Sequence, residues 1–568
     1  MDSHSVSYTT PSRRGSSRAY KDLLSCGVYA HYSTVQAADF WDKSNQFLKM
    51  SKSRLFSSSK TPHIGIVGAG VSGLRCADVL LQNGFKVSLL EARDRVGGRL
   101  YQTTLPTGQV VDLGPNWIHG TDNNPMLDLA KITNTETHTW PANSNLFADD
   151  GTLIPSDEAT HLGDKMWEII FEAFKYSNAN TADISVDESL YDFFSKRVVE
   201  LYPGSEHDEK RKTLLQMAEM WGAFVGSPVH RQSLKFFWLE ECLEGETLFC
   251  AGTYQKILAL IAKRALERAE IKFLTKVTKI TTSEEKRVTL STNNGSQLEF
   301  DEVVMTAPLG WLKQNQDTFQ PPLSRSLVKA IDSIGYGCLE KVYISFPRAF
   351  WLKKDIPKAD QPVAGFVQWI SPQYTAVTNP NRWNQEVVEM ATLSGDCARP
   401  TLLFYIYGEQ SRSLAKELAS LPSPKAQEEH VTKFFEPYYS LLPNYNSASE
   451  DCVPVSTLAT KWVLDDLAGN GSYCNFQIGV EEADKDIEVM REGLPDRSLW
   501  FAGEHTSPFV ALGTVTGAYW SGEAVGKRIA QAWGRNVEVE KIGEEVPGAS
   551  VHEEEVNLHG LKDAVLPK

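Results

Sequence analysis

Gly68, Gly70 and Gly73 occupy the three glycine positions of G-x-G-x-x-G within HIGIVGAGVSGLRCADVLLQNGFKVSLLEARDRVGGR, residues 63 to 99. The chemistry this spacing supports is the holding of a pyrophosphate by backbone N–H groups. Gly68 permits the tight turn, Gly70 lets the main chain approach the phosphates, and Gly73 lets the next helix lie close to the strand. Glu91 stands 18 residues beyond Gly73. An acid at that distance, at the end of a second strand, suits hydrogen bonds to ribose hydroxyls. The turn alone does not separate NAD from FAD.

The elements that must position these groups are legible around them. Ile64, Ile66 and Val67 form a short apolar strand, and Leu74, Ala77 and Leu81 recur at helical spacing after the turn. Asn83-Gly84 closes that helix, and Lys86 to Leu90 reads as the second strand, ending in Glu91. A helix starting at the turn offers free N–H groups and its positive dipole end to an anion. Lys272 to Ile280 is read as one strand, and Val303 to Leu309 (VVMTAPL) as an apolar run ending in a proline turn. Leu499 to Ala532 is read as a buried strand followed by a helix with Gly517, Ala518, Ser521 and Gly522 on its inner side, where backbones meet closely.

This pattern predicts an α/β fold whose Rossmann-like nucleotide domain is assembled from discontinuous segments, 62–120, 250–310 and 495–534. An α+β substrate domain comes from 121–249 and 311–494, rich in Trp, Phe and Tyr. In the first insertion Lys165 to Tyr176 and Lys212 to Phe224 carry apolar residues at helical intervals. In LEKVYISF of the second, Val342, Ile344 and Phe346 alternate with Lys341, Tyr343 and Ser345, so Lys341 points away from the aliphatic face of a strand.

Composition narrows the class. The chain has 568 residues, 42% hydrophobic and 23% charged, which is globular and too long for one ordinary core. A formal charge of −15 argues against nucleic acid as a partner. The eight cysteines include no Cys-x-x-Cys pair and no signal peptide precedes them, so free thiols in an intracellular, cytoplasmic setting are expected. No apolar run is long enough to span a bilayer. Residues 1–61, rich in Ser with several Arg and Lys, read as a disordered or loosely packed extension in which Met50 could be an alternative start; organelle targeting by it stays open. Residues 535–568 read as an acidic tail containing Glu553-Glu554-Glu555 and ending Leu-Pro-Lys rather than in the peroxisomal Ser-Lys-Leu.

Several motifs together resemble the flavin-containing amine oxidase family, especially the polyamine oxidases of fungal type. They are GAGVSG with EARDRVGGR, DLGPNWIHG from Asp112, APLGWLK from Ala307, IGYGCLEKVYISF, GSY from Gly471 and FAGEHTS from Phe501, and the likeness covers residues 62 to 532. The resemblance implies FAD, with Arg93, Gly98 and Arg99 forming a second contact and Arg99 near the pyrophosphate. Ser72 and Val277 join that set, Gly114, Pro115, Asn116 and Trp117 pass along the flavin ring with Trp462, and Glu504, Thr514 and Val515 contact the ribityl chain and ring. Lys341 matches the lysine that holds a water at flavin N5, and His119 matches a histidine near the substrate amine. A strand lysine paired with an acid and a histidine bonded to backbone are the plain alternatives. Tyr473 matches one aromatic wall of the amine channel. Thr514 stands where monoamine oxidases have the opposite tyrosine, so a wider, more polar site is expected.

Ser472 precedes Tyr473 where monoamine oxidases carry a flavin-linked cysteine, and Cys474 follows it, so the resemblance implies non-covalent FAD. The implied reaction is oxidation of a polyamine by hydride transfer to flavin, then imine hydrolysis and reduction of O2 to hydrogen peroxide. Distal ammonium groups need acids, for which Glu240, Glu241, Glu244 and Glu246 in WLEECLEGETLF are candidates. Alternative readings are oxidation of another amine in a biosynthetic pathway, or a flavin-containing steroid-binding protein. The chain lacks room for the extra domain and helical tower of histone demethylases, and no arginine clamp for an amino acid carboxylate is evident.

Overall fold

The computed structural model describes residues 61–140, 145–283, 287–352, 363–537, 539–540 and 542–543. The extension up to residue 60 with Met50, and the tail beyond 543 with Glu553-Glu554-Glu555, lie outside the described residues.

The nucleotide sheet takes its strands from three distant parts of the chain. β1 (His63–Val67) leads through the glycine turn into α1 (Val71–Gln82) and back to β2 (Lys86–Leu90). α2 (Gln255–Arg268), β3 (Glu270–Lys272) and β4 (Glu302–Met305) come from the middle, and β5 (Leu499–Phe501) with α3 (Val515–Ala532) from the end. The strand order is β5-β4-β1-β2-β3, every pair parallel. Both faces are covered, which is why β1 and β2 read as nearly unbroken apolar runs. Ile64, Ile66, Val87, Leu89, Val304 and Trp500 pack under α1, α2 and α3, while Val67, Leu90, Val303, Met305 and Leu499 face a second core.

That second core spans the domain limits expected from sequence. Phe319, Leu327 and Ile331, and Ile487 and Met490, pack in it with the nucleotide sheet, so the limits at 310 and 495 cut through a continuous core. Lys272 to Ile280 is also not one strand. β3 ends at Lys272, Leu274 takes φ 53°, and Val277–Thr282 enters a separate four-stranded sheet. The link turns because Leu274 and Thr275 donate their N–H groups to the carbonyls of Arg93 and Glu91, at 2.9 and 2.8 Å. The first residues of the acidic tail are not free either: Val537 and Ile542 pack on the nucleotide core, and Arg264 pairs with Glu540 at 2.9 Å.

The remainder is built on a six-stranded sheet ordered Ser456–Ala459, Leu339–Ser345, Thr401–Tyr407, Gln385–Glu389, Phe366–Trp369 and Asn145–Phe147. On the strand Leu339–Ser345, Val342 and Ile344 join a core with Phe404 and Phe435, and Tyr343 belongs to a different cluster. Lys341 shares the Tyr343 face, as the alternation predicts, although nearly all positions of this strand are buried. Helices Ser156–Asn180, Leu190–Leu201 and Asp208–Ala218 cover one end. The helix expected over Lys212–Phe224 stops at Ala218 and re-forms as short turns, Glu219–Trp221 and Gly222–Val225. There Gly222 lies so near the Tyr407 ring that a Cβ would come within 2.1 Å of it.

Among the described residues no helix is long and apolar enough to cross a membrane, and no group of His, Cys, Asp and Glu could hold a metal ion. The described cysteines are all free thiols.

Candidate active site

A single cavity of about 360 Å³ runs from the glycine turn to the six-stranded sheet. At its nucleotide end Gly70 is the N-cap of α1, with no side chain capping the helix and no acid in its first turn. A Cβ on Gly70 would meet nothing within 4 Å, whereas one on Gly73 would fall 2.1 Å from the Gly68 carbonyl oxygen. The uncapped helix end therefore faces open space next to bare backbone, which is what a pyrophosphate requires. Gly98, φ 60°, extends this glycine surface beside Gly70.

Glu91 stands beside the turn, 6% exposed. Its two oxygens accept N–H bonds from Ala69 and Arg93, both 2.8 Å. Burial pushes its carboxyl upward against the opposing pull of those two bonds and of the Arg93 and Arg95 charges. Arg93 also donates to both oxygens of Asp465 at 2.9 Å, and Lys276 to Asp466 at 2.8 Å. These pairs tie the turn around Asp465 and Asp466 across the nucleotide end of the cavity.

At the other end the segment Asp112–Trp117 is held by three successive carbonyls. Asp112 O accepts the Tyr343 hydroxyl at 2.7 Å, Leu113 O the Trp462 indole at 3.0 Å, and Gly114 O the Lys341 ammonium. Asp112 O also lies 3.5 Å from Lys341 Nζ. Burial pulls the Lys341 ammonium down to about 7, against the carboxylates of Asp112 and Glu340, which favour its charge. Side chains continue the network: the Trp117 indole donates to the Tyr405 hydroxyl at 3.0 Å, and that hydroxyl donates to Asn116 Oδ1 at 3.0 Å. Burial holds His119 down at about 4, so its ring is neutral at ordinary pH.

Between the ends, Arg99 commits Nη1 to Glu504 Oε1 at 3.0 Å and to the Ser472 carbonyl at 2.5 Å. Burial would raise Glu504, yet Arg99, His505 and Cys474 together hold it below the usual carboxylate range. Thr514 is the N-cap of α3, accepting the Gly517 N–H at 2.9 Å, and Val515 follows it into the cavity wall.

The aromatic end is walled by Trp221, Phe224, Tyr405 and Tyr473, with Glu240 and Cys242. Trp221 and Phe224 stack at 5.1 Å, and the Tyr473 hydroxyl donates to the Phe224 carbonyl. Glu240 accepts the Phe476 N–H at 3.1 Å, makes no ion pair among the described residues, and is pushed up to about 8 by burial.

The structure thus brings the residues singled out in the sequence to one cavity wall: Gly68, Gly70, Ser72, Glu91, Arg93, Gly98, Arg99, Gly114 to Trp117, His119, Val277, Lys341, Trp462, Tyr473, Glu504, Thr514 and Val515. Gly73 lies behind it, packed on Gly68. Of the four acids only Glu240 reaches the cavity; Glu246 is exposed and Glu241 and Glu244 lie outside its wall. Trp221, Phe224 and Tyr405 were missed. The first two sit at helical spacing that reads as core, and Tyr405 is recognisable only through its register opposite Lys341.

A doubly wound nucleotide unit joined to a sheet bearing a buried lysine and an aromatic pocket defines a flavoprotein oxidoreductase. The chain belongs to the flavin containing amine oxidoreductases, whose family model matches residues 71–530. It is 26% identical over 455 residues to "Probable polyamine oxidase 4" of Arabidopsis thaliana, covering 78% of this chain and 82% of that protein. It is 25% identical over 495 residues to "Corticosteroid-binding protein" of Candida albicans, covering 82% and 95%. In fold it is similar to a putrescine oxidase with redesigned cofactor binding, with a TM-score of 0.60 at 18% identity, over 83% of this chain and all of that one. The cofactor implied by this membership is FAD, and the open glycine cradle beside an uncapped helix end fits its pyrophosphate.

Proposed function

We propose that this amine oxidase acts on polyamines such as spermine, spermidine or their acetylated forms, releasing an aminoaldehyde, a shorter amine and hydrogen peroxide. The observation that carries this reading is Glu240, a half-buried carboxyl that makes no ion pair among the described residues, on the aromatic wall of the cavity that also holds Lys341. Ionising it at pH 7 costs about 1.4 kcal/mol, since it sits near 8. An ammonium roughly 4 Å away returns about 4 kcal/mol at an effective dielectric of ~20. A cation is therefore favoured at this wall.

Bound FAD supplies the hydride acceptor for the C–H bond beside the reacting nitrogen and passes the electrons to O2. Around it, Gly68, Gly70, Ser72, Gly98 and the α1 end hold the phosphates, Glu91 the ribose, and Glu504, Thr514, Val515 and Trp462 the remainder. Lys341 holds a water through Nζ, the neutral His119 offers the amine a hydrogen bond without a competing charge, and Trp221, Phe224 and Tyr473 exclude bulk water. Ser472 at the position of a flavin-linked cysteine, and burial that holds the Cys474 thiol far above its usual range, support non-covalent attachment. The free thiols suit a reducing compartment, which points to the cytoplasm.

Anaerobic addition of spermine tests the reading: an oxidase bleaches its flavin, and a ligand-binding protein, the reading favoured by the Candida relative, keeps it yellow. A substrate panel with products identified by mass spectrometry then fixes the bond cut. Glu240→Gln should raise KM for polyamines by about tenfold, the ~2.6 kcal/mol difference reduced by the desolvation of the substrate cation, and leave monoamines unaffected. Equal effects on both would remove Glu240 from cation recognition.

A further inference from the structure

Glu340 precedes Lys341 and, by strand alternation, projects from the opposite face of the sheet, 1% exposed. Both of its oxygens are occupied. Oε1 accepts the Val463 N–H at 2.7 Å and Oε2 the Thr460 hydroxyl. That hydroxyl oxygen accepts the Lys341 backbone N–H at 2.8 Å, and the Thr460 N–H returns to the Lys341 carbonyl at 2.9 Å. Val463 is in turn the neighbour of Trp462, whose indole holds the Leu113 carbonyl between the two carbonyls that Lys341 reaches.

Two features separate this carboxylate from an ordinary loop anchor. It makes no ion pair among the described residues, so its burial is uncompensated by a neighbouring cation on its own face. The Val463 N–H and the Thr460 hydroxyl both donate to it; a glutamine would keep one oxygen for the Val463 N–H and meet the Thr460 oxygen with its NH2, so the hydroxyl would have to turn its proton away and accept instead. We propose that Glu340 is a positioning residue that fixes Lys341 and Trp462 as one unit against the Asp112, Leu113 and Gly114 carbonyls, setting the lysine head relative to the flavin wall. The inference rests on the assignment of this cavity to FAD and an amine, and not on which amine is oxidised. The titratable groups on the Lys341 side of the sheet are Asp112, whose carboxylate favours the ammonium, and Tyr343 and Tyr405, while Glu340 favours that charge from the opposite face.

The test uses full-length, FAD-loaded Glu340→Gln, Thr460→Val and Thr460→Ser. Visible circular dichroism of the bound flavin reports the placement of Trp462 and the adjoining segment without any substrate, so it stands even if polyamines prove to be the wrong amines. Glu340→Gln and Thr460→Val should retain FAD, alter that spectrum and slow amine-driven flavin reduction by about tenfold, less than the roughly hundredfold of a full 1 Å misplacement. Thr460→Ser, which keeps the hydroxyl, should restore both. If Lys341 sets the pH midpoint of flavin reduction, Lys341→Met should abolish that midpoint and Glu340→Gln should move it down, because a negative charge that favours the ammonium is removed. Parental spectra and rates in Glu340→Gln or Thr460→Val, or equal losses in Thr460→Val and Thr460→Ser, would overturn the proposal.

Discussion

Replacing Glu91 separates the job its carboxylate performs in the structure from the ribose contact proposed for it. In the structure its oxygens accept the N–H groups of Ala69 and Arg93, so it shapes the phosphate turn before any ribose arrives. Glu91→Ala leaves two largely buried donors without partners, at about 1–3 kcal/mol each, or about 2–4 kcal/mol together where water can enter the emptied space. Glu91→Gln keeps one acceptor and turns an NH2 toward the other donor, so about half of that loss is expected. The urea midpoint of FAD-stripped protein measures this part. Losing a charged acceptor for ribose hydroxyls adds about 1.5–3 kcal/mol, or roughly 10–100-fold in the FAD Kd read by quenching of flavin fluorescence. An apo-protein as stable as the parent would refute the two backbone bonds. An unchanged Kd would refute the ribose contact.

Other outcomes follow from the same geometry. Lys341→Met keeps an apolar stem without the amine head, so FAD should stay bound while flavin reduction or reoxidation by O2 slows at least about tenfold, ~1.4 kcal/mol of barrier; stopped-flow traces of the two half-reactions distinguish them. Since burial lowers Lys341 to about 7, its head loses its proton as pH rises through that value. Flavin reduction should therefore accelerate from neutral to mildly alkaline pH as lysine and substrate amine both become neutral, and a flat profile would exclude that requirement. Acid precipitation should release FAD into the supernatant; a yellow pellet would contradict non-covalent attachment. Gly522→Ala places a Cβ 2.1 Å from the Ser72 carbonyl oxygen, so α3 must move from α1, with about 1–3 kcal/mol lost in thermal or urea unfolding.

The parts of the fold legible from sequence are those where local chemistry permits one answer. β1, α1 and β2 fall where the glycine turn and Glu91 place them, because that turn admits few backbones. The facing of Lys341 follows from a period of two across six residues. What escaped notice depends on partners far along the chain. The run through Lys272 and Ile280 is apolar enough for one strand, and only the docking of Leu274 and Thr275 onto the Arg93 and Glu91 carbonyls breaks it. Tyr405 joins the site through cross-strand register with Lys341, which no local spacing encodes. Trp221 and Phe224 carry the same signature as buried helix residues, and their contact with the cavity arises from the interruption after Ala218.

The order of strands in the nucleotide sheet has a consequence for biosynthesis. β1 begins at His63, while β5, which completes the edge beside β4, begins at Leu499. At roughly 5–20 residues per second, the interval between their syntheses is about 20–90 s. Throughout that time the side of α1 that will meet α3, including Ser72, has no permanent cover. The helix N-terminus at Thr514 and the carboxylate of Glu504 are also still missing from the cofactor wall. The cofactor wall is therefore complete only once α3 has been made, and until then the β4 edge of the parallel sheet stays open to wrong pairing.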